Sequence, residues 1–262
     1  MKVNPVKQTL AAGGVSPGTM VFALDTPAVA LLAAEAGAEW AVFDMEHTGW
    51  GFDTIRRLVA AAGTTTLTPL VRVPANERHF IGRALDVGAS GVLVPMVHTE
   101  ADARAAASAS LYPPDGDRGA AFTMAHDGYT DGDVADKMRQ ANDNVLVAAM
   151  IESAEAVENA DAIAAVDGVD VLWVGQFDLT SALGIPGQTD HPDYVDAVER
   201  VIEACRKHGK APGIMAPGPD SIRPLVAQGF RFVAYWRDAW IFKQGLRDGV
   251  DAVRDAADHR ST

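Results

Sequence analysis

The chain is 262 residues long, 48% apolar and 22% charged, and its 22 Lys and Arg against 35 Asp and Glu leave a formal charge of −13. A chain of this length buries a large core without disulfides, and its one cysteine, Cys205, excludes an intrachain disulfide, a multi-thiolate Fe–S cluster and a Cys-rich zinc site. The acidic balance argues against nucleic-acid and anionic-lipid partners, and no run reaches the roughly 18 apolar residues of a membrane span.

Residues 1–14 carry Lys2 and Lys7 and only a short apolar patch around Leu10. That patch is too short for a signal-peptide core, so the segment reads as a short surface helix of a cytoplasmic protein. Apolar runs follow at 19–24, 40–44, 68–73, 91–95, 145–151, 169–174, 211–215 and 230–235. They are rich in Val, Leu and Ile without apolar/polar alternation, as expected of parallel strands buried on both faces. Helical patterns fill the intervals at 26–36, 52–62, 76–87, 99–110, 154–164, 192–208, 219–228 and 239–256. Asp25-Thr26 reads as a cap at the first of these. Gly88 is placed to end the third, and Thr99 with Asp102 to cap the next. Eight strand–helix units in this length predict an α/β fold, a single (β/α)8 TIM barrel over 1–262 with 1–17 as an N-terminal helix segment. An open doubly wound sheet calls for a Gly-rich phosphate turn after its first strand, and none is present. Residues 112–132, with Pro113-Pro114-Asp115-Gly116-Asp117-Arg118-Gly119, break the alternation after the fourth strand. A segment of this length and composition predicts a functional loop, in which Arg118 serves as a pin.

In such a barrel the strand C-termini converge on one face, where active sites sit. The polar residues at the predicted strand ends are Asp44, Glu46 and His47, then Arg72, then Glu152, then Gly175-Gln176-Phe177-Asp178. Glu152 and Asp178 are each the first acid after a buried strand on neighbouring units. They read either as hard oxygen ligands for Mg²⁺ or Mn²⁺ or as first-turn helix acids. His47 reads as a base near neutral pH, as a metal ligand or as a structural histidine. Asp44 and Glu46, two apart, share a strand face if the strand extends that far; they orient the histidine, bind near a metal, or form an inward polar layer. Arg72 suits a grip on a substrate carboxylate or an ion pair with Asp44 or Glu46. His79, His98, His126, His191 and His208 show no metal-ligand spacing and read as surface groups. Cys205 lies mid-helix with no catalytic base beside it. Trp40, Trp173, Trp236 and Trp240 read as core, and Trp50 as a mouth residue.

Taken in order, Asp44-Met45-Glu46-His47, Leu70-Val71-Arg72-Val73-Pro74, Leu85-Asp86-Val87-Gly88-Ala89, Val94-Pro95-Met96-Val97, the 112–119 motif, Ile151-Glu152 and Gly175-Gln176-Phe177-Asp178-Leu179 resemble the HpcH/HpaI aldolases. These are class II, metal-dependent pyruvate aldolases, and the likeness runs from about residue 18 to 216. The resemblance implies a (β/α)8 barrel, a homo-oligomer (a hexamer built from dimers that exchange the C-terminal helix, 239–262) and a divalent cation, Mg²⁺, Mn²⁺ or Co²⁺. It implies cleavage of 4-hydroxy-2-oxo acids to pyruvate or hydroxypyruvate and an aldehyde, with the reverse addition. Residue by residue, Glu152 and Asp178 match metal ligands, Arg72 the residue on the 2-oxo acid, and His47 the base. Asp86 matches an acid that pairs with that histidine from a neighbouring subunit, and Asp44 an acid near the metal. Gly175, Gln176 and Phe177 fall on the turn that holds the substrate carboxylate, and Met215 on an apolar contact to the aldehyde.

No lysine ends a predicted strand, so a Schiff-base route is not expected. Three features depart from the family pattern. Met150 stands where many members have Gln, Gln176-Phe177 replaces Pro-Ala, and Tyr235-Trp236-Arg237-Asp238 is an unusual end to the eighth strand. They are expected to reshape the acceptor pocket and leave the reaction type intact. The alternatives are a citrate-lyase-like lyase acting on an acyl-CoA and a barrel that binds a 2-oxo acid and metal without turnover.

Overall fold

The computed structural model describes residues 3–259. Eight parallel strands close into a barrel in chain order: β1 (Ser16–Val21), β2 (Trp40–Asp44), β3 (Thr68–Arg72), β4 (Gly91–Val94), β5 (Leu146–Ile151), β6 (Val171–Val174), β7 (Ala211–Ala216) and β8 (Phe232–Arg237). The helices are α1 (Pro5–Ala11), α2 (Ala28–Glu35), α3 (Phe52–Ala62), α4 (Arg78–Asp86), α5 (Glu100–Ser110), α6 (Val134–Asn144), α7 (Ala154–Glu158), α8 (Ala160–Ala164), α9 (Gln176–Ala182), α10 (Pro192–His208), α11 (Pro219–Gln228) and α12 (Asp238–Asp258). This is the expected (β/α)8 barrel. No described helix is long and apolar enough to cross a membrane.

The strands lack alternation because both faces are covered. One set of side chains fills the barrel: Met20, Trp40, Val42, Leu70, Leu93, Leu146, Ala148, Met150, Trp173, Phe232 and Ala234. The other set, including Val21, Phe43, Val71, Val92, Val147, Leu172 and Val233, packs under the helices. At the start of the strands Trp40 stacks on Phe232 with centroids 3.8 Å apart and meets Trp173 edge-on at 6.2 Å. Gly18 faces that cluster, and any side chain there would collide with the Trp40 ring. The first strand therefore begins earlier than the predicted 19–24. Pro17 and Gly18 look like strand breakers, yet the tryptophan demands the glycine.

Three further expectations are corrected. The N-terminal helix is a plug, because Val6 and Leu10 are buried in the barrel-filling cluster. Its cap residue Asn4 donates to the carbonyls of Ser90 and Asn144. The segment 112–132 follows α5, so it lies where strands begin, away from the mouth. A buried ion pair holds it: Lys137 Nζ is 2.6 Å from Asp127 Oδ2, and Asp127 also accepts from the N–H groups of Thr123, Met124 and Tyr129. Asp25 does not cap α2, whose N-cap position is Pro27 without a side-chain bond. By contrast Thr99 and Asp102 form the expected capping box at α5, and Gly88 is left-handed beyond α4 (φ 105°).

The β1–β8 seam is irregular. Gly18 pairs with Ala234, but Met20 pairs with Arg237, so β8 carries one extra residue across that step. Trp236 takes up the bulge in the left-handed region (φ 44°), and Thr19 Oγ1 donates to the carbonyls of Tyr235 and Trp236.

Candidate active site

Alternation carries the inward face of each strand up to the mouth. After Val42 comes Asp44, after Leu70 Arg72, after Met150 Glu152, after Trp173 Gly175, and Met215 ends the same row on β7. Asp44 and Arg72 are direct register partners on β2 and β3. Arg72 Nε donates to Asp44 Oδ1 at 2.5 Å, and its Nη1 lies 3.1 Å from Glu46 Oε2. Both the ion-pair and the mouth-facing expectation for Arg72 thus hold in geometry. Asp44, fully buried, also turns the chain: it accepts from the N–H groups of Glu46 and His47, while Thr48 Oγ1 donates to its carbonyl. β2 ends at Asp44, so Glu46 sits in this turn rather than on the strand. His47 leaves its ring 55% exposed, with Nε2 3.6 Å from Glu46 Oε2.

Among the described residues Arg72 Nη2 is buried without a hydrogen-bond partner, and Glu46 Oε2, though ion-paired to Arg72 Nη1, also accepts no hydrogen bond. A buried guanidinium donor left open is costly, and it fits a site completed by a ligand.

Glu152, 5% exposed, accepts the Met96 N–H at Oε1 (2.6 Å). Met96 adopts φ 55° to present that N–H, a strained conformation of the kind that gathers at functional sites. Gly175 is required beneath the carboxylate, since a Cβ there would lie 2.9 Å from Glu152 Cβ and 3.0 Å from its Oε2. Asp178 stands exposed in the first turn of α9, so it is a first-turn acid, and its charge reaches both Glu152 and Glu46. Burial pushes the Glu46 carboxyl up to about 7; Arg72 pulls it down, while Glu152, Asp44 and Asp178 push it further up. Burial likewise raises Glu152, against the Met96 N–H and with Asp178. Four acids thus crowd one arginine.

Such a surplus of negative charge suits a hard cation, and the oxygen-only donor set agrees. Among the described residues no three His, Cys, Asp or Glu side chains converge in a metal-binding geometry. A cation here would take Glu152 and Asp178, with water or substrate in its other positions.

Gln176 is buried at the start of α9 after β6, whereas Phe177 beside it is 56% exposed. Met150 is part of the barrel filling. Asp86 is not brought to the mouth of its own barrel: it ends α4 at the far side, where Arg118 Nη2 donates to it at 2.8 Å. Three mouth residues, Phe22, Met96 and His98, escape a reading by strand ends, and a fourth, Arg237, shows in the sequence only as part of an unusual end to the eighth strand. Phe22 follows β1 and lies under the Arg72 guanidinium (5.1 Å). Arg237 lies over the same ring (5.4 Å). Met96 has no sequence mark of its strained backbone. His98 is half-buried with Nδ1 2.8 Å from Ser153 Oγ, beside Glu152, and is not a surface group. His126, half-buried against Tyr112, is not one either. Of the tryptophans, Trp240 is 36% exposed rather than core.

The model of the HpcH/HpaI aldolase/citrate lyase family matches residues 19–242. A 5-keto-4-deoxy-D-glucarate aldolase of Shigella dysenteriae is 38% identical over 252 residues, covering 96% of this chain and 97% of its own. The HpcH/HpaI aldolase of Desulfitobacterium hafniense superposes with a TM-score of 0.90 at 31% identity, covering 95% of this chain and 96% of that one. The citrate synthase SbnG superposes with a TM-score of 0.85 at 28% identity, covering 96% and 98%. Matched along most of its length in sequence and in fold, the chain belongs to the HpcH/HpaI aldolase/citrate lyase family, a family of carbon–carbon lyases.

Proposed function

We propose that the chain is a divalent-metal-dependent aldolase that cleaves 4-hydroxy-2-oxo acids to pyruvate or hydroxypyruvate and an aldehyde, and runs the reverse addition. The observation that carries this reading is the buried Arg72 guanidinium, held by Asp44 and Glu46 but with Nη2 left open beside Glu152. The Shigella relative is named for a keto-deoxy sugar acid of the same class.

Breaking the C3–C4 bond of such an acid leaves negative charge on the 2-oxo oxygen. Arg72, desolvated and fixed from two sides, presents its free N–H where that charge develops. Gly175 caps α9, its own N–H donating to the Ile151 carbonyl, and the N–H groups of Gln176 and Phe177 that follow are offered to the substrate carboxylate. His47, held at its backbone by Asp44, accepts the 4-hydroxyl proton as the bond breaks. Met215 and Phe22 give the aldehyde half an apolar wall. Glu152 and Asp178 would hold a divalent cation, which when bound would supply Lewis-acid stabilisation of the same developing charge.

Asp86 faces away from its own mouth, so its place in the reaction is beside His47 of a neighbouring copy. Homo-oligomer assembly suits α12 as well. That helix is exposed from Ala239 onward and carries Phe242, Leu246, Val250 and Val253 along one stripe, the pattern of a helix exchanged with a second copy.

Lactate-dehydrogenase-coupled detection of pyruvate from a panel of 4-hydroxy-2-oxo acids tests the reading. Pyruvate formation that stops on complete chelation and returns with Mg²⁺, Mn²⁺ or Co²⁺ is expected. Turnover that survives full removal of metal contradicts the metal dependence. Failure with every 2-oxo acid, alongside cleavage of an acyl-CoA, favours the citrate-lyase-like alternative.

A further inference from the structure

The acids and Arg72 occupy one arc of the mouth, on β2, β3, β5 and the β6–α9 turn. The facing arc is formed by β7, β8 and β1, and its inward residues are Met215, Arg237 and Phe22. Arg237 reaches this row only through the bulge. Phe232 and Ala234 point into the barrel, so regular alternation would bring Trp236 inward next. The extra residue gives that position, opposite inward-facing Met20, to Arg237 instead. A left-handed tryptophan is a strained conformation, and a bulge beside an active site re-aims a side chain.

The charge so delivered is not neutralised. Among the described residues no acid forms an ion pair with Arg237, whose recorded contacts are the faces of Phe22 (5.4 Å) and Trp240 (5.9 Å). The adjacent carboxylate, Asp238, is committed elsewhere. It accepts the N–H groups of Phe22, Ala23 and Leu24 at 3.0, 2.9 and 2.7 Å and that of Ala239 at 2.9 Å. The half-buried Arg237 guanidinium therefore shares the Phe22 ring with Arg72 and, without an ion-pair partner among the described residues, is open to an anion. In a protein of charge −13, a second arginine on the same mouth, this one without such a partner among the described residues, is a local exception.

The geometry points to Arg237 as the residue that distinguishes carboxylate-bearing aldehydes from neutral ones at this mouth. This rests on the aldolase reading above. One cation serves the donor half at Arg72, and the second receives the far end of the molecule. The planar fork of a guanidinium matches a carboxylate in two parallel hydrogen bonds, and stacking on Phe22 and Trp240 limits its freedom before the substrate arrives.

The test is acceptor selectivity in the synthetic direction with pyruvate. Succinic semialdehyde is compared with pentanal, and glyoxylate with propanal, in the unaltered chain, Arg237→Gln and Arg237→Lys. The expected result is a fall of about 10- to 100-fold in the charged-to-neutral ratio of kcat/KM in Arg237→Gln. Arg237→Lys should restore part of it. Because each ratio is taken within one protein, a partly misfolded variant does not mimic the effect. An unchanged ratio in Arg237→Gln overturns the proposal, as does a loss confined to the KM of pyruvate. Solvent-deuterium exchange into the methyl group of pyruvate by the unaltered chain checks the aldolase reading separately. Exchange with an unchanged ratio rejects Arg237 alone; absence of exchange rejects the aldolase reading and this proposal with it.

Discussion

Arg72 shows how a single residue is made reactive by what surrounds it. Asp44 and Glu46 occupy its Nε and Nη1, which fixes the plane of the guanidinium and leaves only Nη2 to donate. Arg72→Ala is expected to lower pyruvate formation by about 10²–10³-fold, the usual cost of removing a donor to a developing oxyanion, with Mn²⁺ affinity retained. A rate near that of the unaltered chain would contradict the role. Gly175 is a second sensitive point, because a methyl group there displaces Glu152. Gly175→Ala should weaken Mn²⁺ binding at least 10-fold, the lower end for disturbing a ligand's support, while leaving the unfolding midpoint close to normal; unaltered Mn²⁺ affinity would show that Glu152 does not need the space. Asp44, Glu46, His47, Arg72, Glu152 and Asp178 were legible as polar residues closing apolar runs. Arg237 was legible only as part of an unusual end to the eighth strand; that it, and not Trp236, faces inward depends on one extra residue in β8, and no pattern of period two reveals a shift in its own phase. Phe22 was hidden for a related reason: a phenylalanine at the end of a strand looks like any other core residue.

The elements beneath the mouth determine whether these side chains hold their places. α10 and α11 were read at their true bounds because each opens on a proline and is closed by a left-handed glycine, Gly209 and Gly229, signals that are local in sequence. α6 was missed because it buries little beyond Lys137 and Ala141, so it shows no apolar stripe. α9 was missed because Asp178 reads equally as a strand-end acid. The Lys137–Asp127 pair ties α6 to the preceding loop. Burial opposes ionisation of Asp127, but the Lys137 ammonium and the Thr123 and Met124 N–H groups outweigh it and hold the carboxyl far below the usual range. A folded-state value below the unfolded one stabilises the fold above the ordinary aspartate value and is lost as pH falls through the folded one. Asp127→Asn should therefore cost about 3–5 kcal/mol at neutral pH, as breaking one side of a buried pair does. The gap to the unaltered chain should narrow below about pH 4. Urea unfolding across that range measures it, and a gap independent of pH would show that the ion pair is not its source.

At the scale of the whole molecule, the barrel separates stability from chemistry. Aromatic rings and the α1 plug close one end, and charge gathers at the other. The fold was legible throughout because eight apolar runs without alternation admit few other architectures. The outer faces were legible only through the resemblance, since within one barrel Asp86 is held by Arg118 away from the mouth and the α12 stripe is uncovered. Replacing Phe242 and Leu246 with Asp should lower the mass measured by light scattering by at least half without unfolding the barrel, and an unchanged mass would show that α12 is not at an interface. The whole account depends on acids from β5 and the β6–α9 turn sharing a cation. Titration of chelator-stripped protein with Mn²⁺, followed by loss of the free-ion EPR signal, addresses that most directly. A single saturable site, tightened by oxalate and abolished in both Glu152→Gln and Asp178→Asn, is the predicted result; undiminished Mn²⁺ binding in the two variants would contradict it.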